Sequence, residues 1–334
     1  MRKLTAFLIL LALLLPAGFS AAAVTISPLE TPAPARVHIA PEPPEGPGAI
    51  IDLTRDRNAL DGVRFKLDAQ FLHVWFPLIA NADEAVIVMG DEVWLIDCGD
   101  KGMGLRGVHM MEELGIRKID KLFNSHPHHD HIDGLQVTNE AIPVGELLIC
   151  FPEDSTESMV AAMEYAKEAG IPVRHYNNGE TFSMGDGRAT LKFFFPDDDT
   201  LDMNNNSALT MLKYGSRRML FMADMERLGQ EAILSRVSPD DLHTDILKYP
   251  HHGKTGLLQE FYEVVNPALA VITNVYVEWG GIEYLRMKQI PYLFTCAKDA
   301  YVHCYTDGTS WVVEYVPMGT AVPMFPSAES GAGE

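Results

Sequence analysis

A run of histidine and aspartate residues is the stretch of this chain best suited to chemistry. The run Asn-Ser-His-Pro-His-His-Asp-His-Ile-Asp-Gly places His126 and His128 two residues apart, with Asp130 and His131 after them. It follows an apolar segment that predicts a buried strand, and such a strand fixes the origin of the side chains on the loop behind it. Imidazole and carboxylate groups are the donors that a borderline-soft ion such as Zn²⁺ prefers. The run therefore predicts a metal site, the alternative being a polar surface loop.

Further acidic and histidine residues follow apolar runs elsewhere in the chain. Asp97 ends one predicted strand and either orients the metal loop through hydrogen bonds or forms a turn before a glycine. Asp224 ends another, where a carboxylate either bridges two cations or caps the helix that follows. His251 and His252 come directly after a third strand, and their alternative is a pair of surface histidines. We expect these residues to complete the metal site.

The pattern His-x-His-x-Asp-His resembles that of the metallo-β-lactamase superfamily. The resemblance implies that His126 and His128 bind one metal ion and that Asp130 and His131 bind a second. The superfamily usually has Gly-Asp where this chain has Ala-Asp, which implies a bridging role for Asp224. It often has Pro-Gly-His-Gly where this chain has Pro-His-His-Gly. That similarity implies that His252 binds the second ion, whereas the histidine before it bonds to a neighbour or meets the substrate.

Three segments narrow the resemblance to the hydrolase domain of ComEC/Rec2-type competence proteins and their stand-alone relatives. They are residues 82–87, 204–207 and 247–253. Much of the superfamily carries a further metal-binding histidine between the first motif and the bridging aspartate, where this chain has only His175, in a different sequence context. Asn206 lies nearest the expected place, as a metal ligand, a substrate contact or a turn residue. The resemblance thus implies one or two Zn²⁺ ions. The first ion would be bound weakly, would exchange with solution, or would be a harder ion such as Mn²⁺.

The amino terminus has the composition of an export signal. Residues 1–23 combine Arg2 and Lys3, an apolar core and a run of alanines suited to cleavage. The alternative is an uncleaved anchor, but the apolar core is shorter than the ~20 residues that span a bilayer. We therefore predict a secreted or extracytoplasmic protein without a stable transmembrane span after cleavage.

Three regions follow the predicted signal. Residues 24–49 are rich in proline and predict an extended tether, residues 50–316 a single large domain, and residues 317–334 a disordered tail. Loss of the signal removes Arg2 and Lys3 and no acid, which changes the formal charge from −20 to −22. Because this charge repels polyanions at long range, general nucleic-acid binding is not expected.

The four cysteines do not form a dense disulfide framework. Cys98 and Cys150 lie on apolar runs and are predicted core residues. Cys296 and Cys304 flank a short polar stretch where a turn would set them across a hairpin. Export favours a disulfide there, and two free buried thiols are the alternative.

Strands and helices alternate twice along the predicted domain. The predicted strands are 71–76, 84–89, 93–97, 121–124, 146–151, 189–195, 208–213, 218–223, 245–249, 268–273, 292–296 and 311–315. The predicted helices are 104–114, 155–169, 228–237, 257–265 and 282–288. Two sheets face to face with helices outside is the economical arrangement. It agrees with the α/β fold that the resemblance implies, an αββα sandwich of two mixed β-sheets flanked by helices.

These features together predict a metal-dependent hydrolase. A water shared by two cations loses a proton near neutral pH and attacks an ester phosphorus or carbonyl. The predicted substrate is a small-molecule or cell-envelope ester, cleaved at a phosphodiester or phosphoryl ester bond. Asp130 or a water would relay the proton, and Lys248 or His251 would contact the leaving group. The alternatives are hydrolysis of a lactone, thioester or β-lactam on the same fold, and a non-catalytic metal-stabilised binding module.

Overall fold

A computed structural model describes residues 36–37, 71–277 and 279–325 of the chain. The predicted signal, residues 1–23, and the predicted tether except for residues 36–37 lie outside this part, as does the stretch 50–70 of the predicted domain. Among the described helices, none has both the length and the apolar composition needed to cross a membrane.

The strands and helices are numbered in chain order. The strands are β1 (Arg36–Val37), β2 (Leu72–Phe76), β3 (Ala85–Met89), β4 (Glu92–Ile96), β5 (Lys121–Phe123), β6 (Leu147–Ile149), β7 (Val173–His175), β8 (Thr181–Met184), β9 (Ala189–Phe194), β10 (Leu209–Tyr214), β11 (Arg217–Phe221), β12 (Ile246–Lys248), β13 (Leu269–Ile272), β14 (Tyr292–Phe294), β15 (Ala300–Thr306) and β16 (Trp311–Pro317). The α-helices are α1 (Lys101–Glu113), α2 (His129–Ile132), α3 (Leu135–Ala141), α4 (Glu157–Ala169), α5 (Arg227–Arg236), α6 (Pro239–Leu242), α7 (Gln259–Val265) and α8 (Glu283–Met287).

The described strands form two mixed sheets. The first has the order β1-β16-β15-β2-β3-β4-β5-β6-β7 and the second the order β14-β13-β12-β11-β10-β9-β8. Strands β4 to β7 are parallel in the first sheet, and strands β11 to β14 are parallel in the second. Parallel pairing brings the carboxyl ends of these strands to one edge of each sheet.

The core has one layer between the sheets and one under the helices of each outer face. Strand β3 shows why, because Ile87 packs towards the second sheet while Val86 and Val88 pack towards the helices. Burial on both faces explains why this strand is apolar throughout. Helices α1, α3 and α4 cover the first sheet, and α5, α7 and α8 cover the second. This arrangement confirms the predicted αββα sandwich.

Strand β15 was not among the predicted strands, and it corrects the expectation for the cysteines. It pairs with β2 on one side and β16 on the other, which places Cys304 between the sheets, fully buried. Cys296 lies after β14, and its Sγ is 3.5 Å from Nη1 of Arg106. Both are free thiols, as are Cys98 and Cys150, so the alternative of free thiols is the one observed.

The predicted disordered tail is partly ordered. Residues 318–325 are described, and the backbone N–H of Met324 donates to the carbonyl of Leu114 at 2.8 Å. Met324 and Phe325 pack against the apolar layer beneath α1. Their side chains bury apolar surface there. Residues 326–334 of the predicted tail lie outside the described residues. The amino-terminal tether also contributes two residues, because β1 pairs with β16 at the edge of the first sheet.

Candidate metal centre

The predicted site residues come together where the parallel strands of both sheets end. Asp97 follows β4, the metal loop (residues 124–134) follows β5, and Asp224 lies three residues beyond β11. His251 and His252 follow β12 in a short 3₁₀ turn. Because the carboxyl ends of parallel strands share an edge, loops distant in the chain converge there.

The metal loop is held by its backbone as well as by its ligands. Helix α2 begins at His129, and the N–H of Cys98 donates to the carbonyl of His131 at 3.0 Å. Gly134 closes the loop against the same segment, where a Cβ atom would lie 1.8 Å from the carbonyl oxygen of Cys98. Glycine is therefore required for this approach. His129, which was assigned no ligand role, has a side chain that is 68% exposed.

Asp130, His131, Asp224 and His252 form a compact group of possible metal ligands. One donor atom from each lies within 4.8 Å of the others. Oδ1 of Asp224 is 3.3 Å from Nε2 of His131 and 3.4 Å from Nε2 of His252. Oδ2 of Asp130 is 3.3 Å from the same nitrogen of His252. Two imidazoles and two carboxylates therefore face one small volume.

Buried atoms without hydrogen bonds show that this group suits a cation. Nε2 of His131, Nε2 of His252 and Oδ1 of Asp224 are buried, yet none has a hydrogen-bond partner among the described residues. These atoms lie close enough for electrostatic attraction, but their relative orientation does not satisfy hydrogen-bond geometry. Leaving buried polar atoms unpaired is costly. A divalent ion coordinated by all of them would remove that cost, so the residues fit a metal ion.

Asp97 orients His131. Its Oδ2 is 2.8 Å from Nδ1 of His131, and its carboxylate also accepts hydrogen bonds from the backbone N–H and the hydroxyl of Ser125. A carboxylate at Nδ1 fixes the imidazole so that Nε2 points at the metal. The position of Asp97 thus agrees with the predicted orienting role.

Asp83 plays the same part for His252, although sequence reasoning assigned it no role. Its Oδ1 is 3.0 Å from Nδ1 of His252 and accepts a hydrogen bond from Oγ1 of Thr273 at 2.6 Å. Its other oxygen contacts the ammonium of Lys248. Asp83 lies in residues 82–87, one of the three segments that narrow the resemblance. Nothing in that segment alone indicates its contact with His252.

Lys248 does not lie where the predicted leaving-group contact requires. Its side chain is 3% exposed, and its ammonium contacts the carboxylate of Asp83 and the carbonyl of Ala223. Strand β12 is buried on both faces, so its last side chain points into the protein. Lys248 is therefore corrected from a substrate contact to a buried counter-ion of Asp83.

His126 faces the other oxygen of Asp224, and His128 lies next to His126. Nε2 of His126 is 3.9 Å from Oδ2 of Asp224 and 3.0 Å from Nδ1 of His128. His126 is fully buried, and His128 is half-buried. The side chain of Asn204 interacts with His128, and its buried Oδ1 has no hydrogen-bond partner among the described residues.

Asn206 is not a ligand in this arrangement. Its amide nitrogen donates to the carbonyls of Asp198 and Leu201, and its Oδ1 accepts from the backbone N–H of Asp198. All its polar atoms are thus used within the loop that follows β9. Asn206 is the turn residue that the sequence offered as an alternative, and its neighbour Asn204 is the one near the centre.

The pKa values differ between the two sides of Asp224. Burial alone would lower the pKa of His131 and His252, but facing carboxylates outweigh it. They raise the pKa of His131 well above its ordinary value and that of His252 to about 9. Burial and the charge of His131 lower the pKa of His126 and of His128. The pKa of Asp224 is well below its usual range because His252 and His131 outweigh its burial.

Comparison with known proteins identifies the family. The model of the metallo-β-lactamase superfamily matches residues 85–262, which is more than half of the chain. The chain belongs to the metallo-β-lactamase superfamily. Its match begins at β3 and ends within α7, so it includes the metal loop, Asp224 and both histidines after β12.

Individual relatives in the superfamily are distant. Competence protein ComA of Neisseria gonorrhoeae is 24% identical over 184 residues, which cover 54% of this chain and 24% of ComA. The chain thus spans about a quarter of that relative, and the match agrees with the predicted ComEC-type similarity. The metallo-β-lactamase fold protein YhfI of Bacillus subtilis is 14% identical to this chain, with a TM-score of 0.45. The match covers 67% of this chain and 95% of YhfI. The Zn²⁺-bound PqqB of Methylobacterium extorquens is 12% identical to this chain, with a TM-score of 0.39. The match covers 54% of this chain and 72% of PqqB.

Proposed function

We propose that this chain is a metal-dependent hydrolase that cleaves a phosphodiester or phosphoryl ester. The observation that carries the proposal is the set of unpaired donor atoms from His131, His252 and Asp224, which face each other beside Asp130. Mixed imidazole and carboxylate donors suit Zn²⁺, with Mn²⁺ as the harder alternative. A bound divalent ion would act as a Lewis acid and lower the pKa of a coordinated water.

The residues of the chain would hold this chemistry in place. His126, His128 and Asp224 would hold one ion, and Asp130, His131 and His252 would hold a second next to it. Asp224 stands between the two groups with one oxygen towards each. Asp130 is the carboxylate of the second group, and its side chain is 11% exposed. An incoming water could therefore reach it and transfer a proton to it.

A cavity beside the centre is suited to an anionic ester. It has a volume of about 360 Å³ and is lined by Asn81, Gly253, Lys254, Asn274 and residues 275–277. Gly253 directly follows His252, and Nδ2 of Asn274 donates to the His252 carbonyl at 3.1 Å. The exposed ammonium of Lys254 and the exposed amide of Asn81 can contact phosphate oxygens, which a chain of formal charge −20 otherwise repels. Lys254 thus takes the substrate-contacting role that Lys248 cannot.

The proposed location is outside the cytoplasm. The signal-like composition of residues 1–23 supports export, and the proposed substrate is accordingly a small-molecule or cell-envelope ester. The similarity to ComA involves about a quarter of that protein. It supports the type of domain, and the activity of the whole competence protein is not carried over.

The test is hydrolysis of bis-p-nitrophenyl phosphate by the double variant His126→Ala/His128→Ala. Because a metal ion contributes several kcal/mol to such a reaction, we expect turnover to fall by at least about 10³-fold. His129→Ala, which changes an exposed histidine of the same loop, is the matched control and should keep normal turnover. Metal content is measured on the same samples.

A panel of esters tests the substrate class. A lactone, a thioester and a chromogenic β-lactam are assayed beside the phosphodiester with the same enzyme. Faster turnover of any of these would replace the proposed substrate class. Unchanged phosphodiester turnover in the double variant would end the proposal altogether.

A further inference from the structure

The two oxygens of Asp224 face two different pairs of histidines. Oδ1 lies between Nε2 of His131 and Nε2 of His252, at 3.3 and 3.4 Å. Oδ2 lies 3.4 Å from Nε2 of His251 and 3.9 Å from Nε2 of His126. A carboxylate that bridges two cations presents one oxygen to each. His251 therefore stands on the side of the first ion, opposite His252.

The orientation of His251 matches that of the two histidines on the other side. Nδ1 of His131 contacts Asp97, and Nδ1 of His252 contacts Asp83. Nδ1 of His251 contacts Oε1 of Glu226 at 2.9 Å. In each case a carboxylate lies at Nδ1, and Nε2 is the ring nitrogen that faces Asp224. This is the arrangement that metal-binding histidines show in proteins.

The backbone is strained in a way that maintains this orientation. His251 has φ of +46° and His252 has φ of +51°, both in the left-handed region. Such a conformation costs on the order of 1–3 kcal/mol for each non-glycine residue, so it persists only where the surroundings impose it. The N–H of His251 donates to the carbonyl of Ala223 at 2.9 Å, which ties the strained turn to the residue before Asp224. The two consecutive left-handed residues send their imidazoles to opposite oxygens of one carboxylate.

We infer that His251 is a ligand of the first metal ion and takes the place of the histidine that the superfamily usually carries between the first motif and the bridging aspartate. The first ion would then have His126, His128, His251 and one oxygen of Asp224 as its protein ligands. Three imidazoles and a carboxylate oxygen form a donor set suited to Zn²⁺. The side chain of His251 is 18% exposed, so the first ion is open to solution on this side. The inference rests on the metal occupancy proposed for this centre and is independent of the reaction.

Metal binding by the full chain tests the inference. The stoichiometry and affinity of Zn²⁺ are measured by competition with a chromophoric chelator for the unchanged protein, His251→Asn and His251→Gly. Both replacements tolerate positive φ, so the turn can be kept without an imidazole. Because loss of a ligand exceeds the 10–100-fold effect of an outer partner, we expect the weaker ion to bind at least about 100-fold less tightly. The tighter ion should not lose affinity, since His251 is not among its ligands.

Glu226→Gln provides a second, milder variant. It keeps the shape of the side chain and removes the charge at Nδ1, so the weaker ion should lose about 10–100-fold in affinity. His129→Ala is the control for a histidine of the metal loop that faces solvent, and its two affinities should equal those of the unchanged protein. Circular dichroism of each variant in chelator confirms that it is folded.

Two results would overturn the inference. One is binding of two ions at unchanged affinity by both folded His251 variants. The other is an equal loss of both ions, which would make His251 a structural residue of the turn. Hydrolysis is scored separately on the unchanged protein. Binding of two ions without ester cleavage would end the proposed function and leave the ligand assignment standing.

Discussion

The two sides of Asp224 are built from similar residues but differ in burial and charge. The inner side, Asp130, His131 and His252, is almost closed to solvent and has two orienting carboxylates beneath it. The outer side, His126, His128 and His251, is partly open and has one orienting carboxylate, Glu226. Metal affinity increases with ligand charge and with rigidity of the site, so the inner side should hold its ion more tightly.

The protonation states differ in the same way. Facing carboxylates raise the pKa of His131 and of His252, whereas burial lowers the pKa of His126 and of His128. A histidine must be neutral to bind a metal ion. Under the proposed occupancy, an inner ion would have to displace protons when it binds, whereas an outer ion would meet His126 and His128 with lowered pKa values. The side expected to bind its ion more tightly and the side expected to bind without releasing protons thus lie on opposite sides of Asp224.

Asp224→Asn should have the largest effect, because this residue serves both sides. An amide keeps the shape but loses the charge that balances two cations, so we expect both ions to weaken and hydrolysis to fall by at least about 10³-fold. Chelator competition and turnover of the phosphodiester measure the two effects. A variant that lost one ion alone would show that Asp224 belongs to one side.

Asp83→Asn tests the support of the inner side. It leaves the buried ammonium of Lys248 without its carboxylate, and breaking a buried ion pair costs about 3–5 kcal/mol. The free energy of unfolding in urea, measured in chelator, should fall by this amount. Asp83→Asn/Lys248→Met removes the unpaired charge and should recover most of the stability, whereas the inner ion should remain about 10–100-fold weaker. Equal inner affinity in the double variant and the unchanged protein would argue against an orienting role for Asp83.

The pH dependence of the metal-free protein sharpens the difference in charge. The pKa of His252 rises from 6.5 to about 9 on folding, so the folded chain binds more protons than the unfolded chain between these values. Stability from this group is therefore fully present below pH 6.5 and is lost as the pH rises through about 9. Urea unfolding in chelator at several pH values should show the decline, and His252→Gln should flatten it.

Ala223→Gly should have the smallest effect. Ala223 has φ of +47° directly before Asp224, a conformation that costs alanine roughly 1–2 kcal/mol more than glycine. Glycine relieves this strain but loses more entropy on folding, so we expect a gain of about 0.5–1 kcal/mol in unfolding free energy. Both metal affinities should stay unchanged, since the ligands are retained. A loss of stability would show that the turn is held by contacts of the alanine methyl group.

The sequence by itself determined the class of the fold and most of the candidate ligands. Apolar runs such as β3 and β11 predicted strands because a strand buried on both faces is apolar throughout. His126, His128, Asp130 and His131 could be identified because four donors within six residues are a local pattern. Strand β15 was missed, although it is entirely buried, because a histidine and a cysteine interrupt its apolar run.

Only the tertiary structure decided which carboxylate faces which histidine. Asp83 and His252 are 169 residues apart, and His251 and Glu226 are 25 residues apart, yet each pair fixes the direction of an imidazole. The same contacts showed that Lys248 is a buried counter-ion and that Asn206 bonds within its own loop. A sequence pattern specifies the donor types along one strand and loop. The direction of each lone pair depends on hydrogen bonds between loops that meet only when the two sheets pack together.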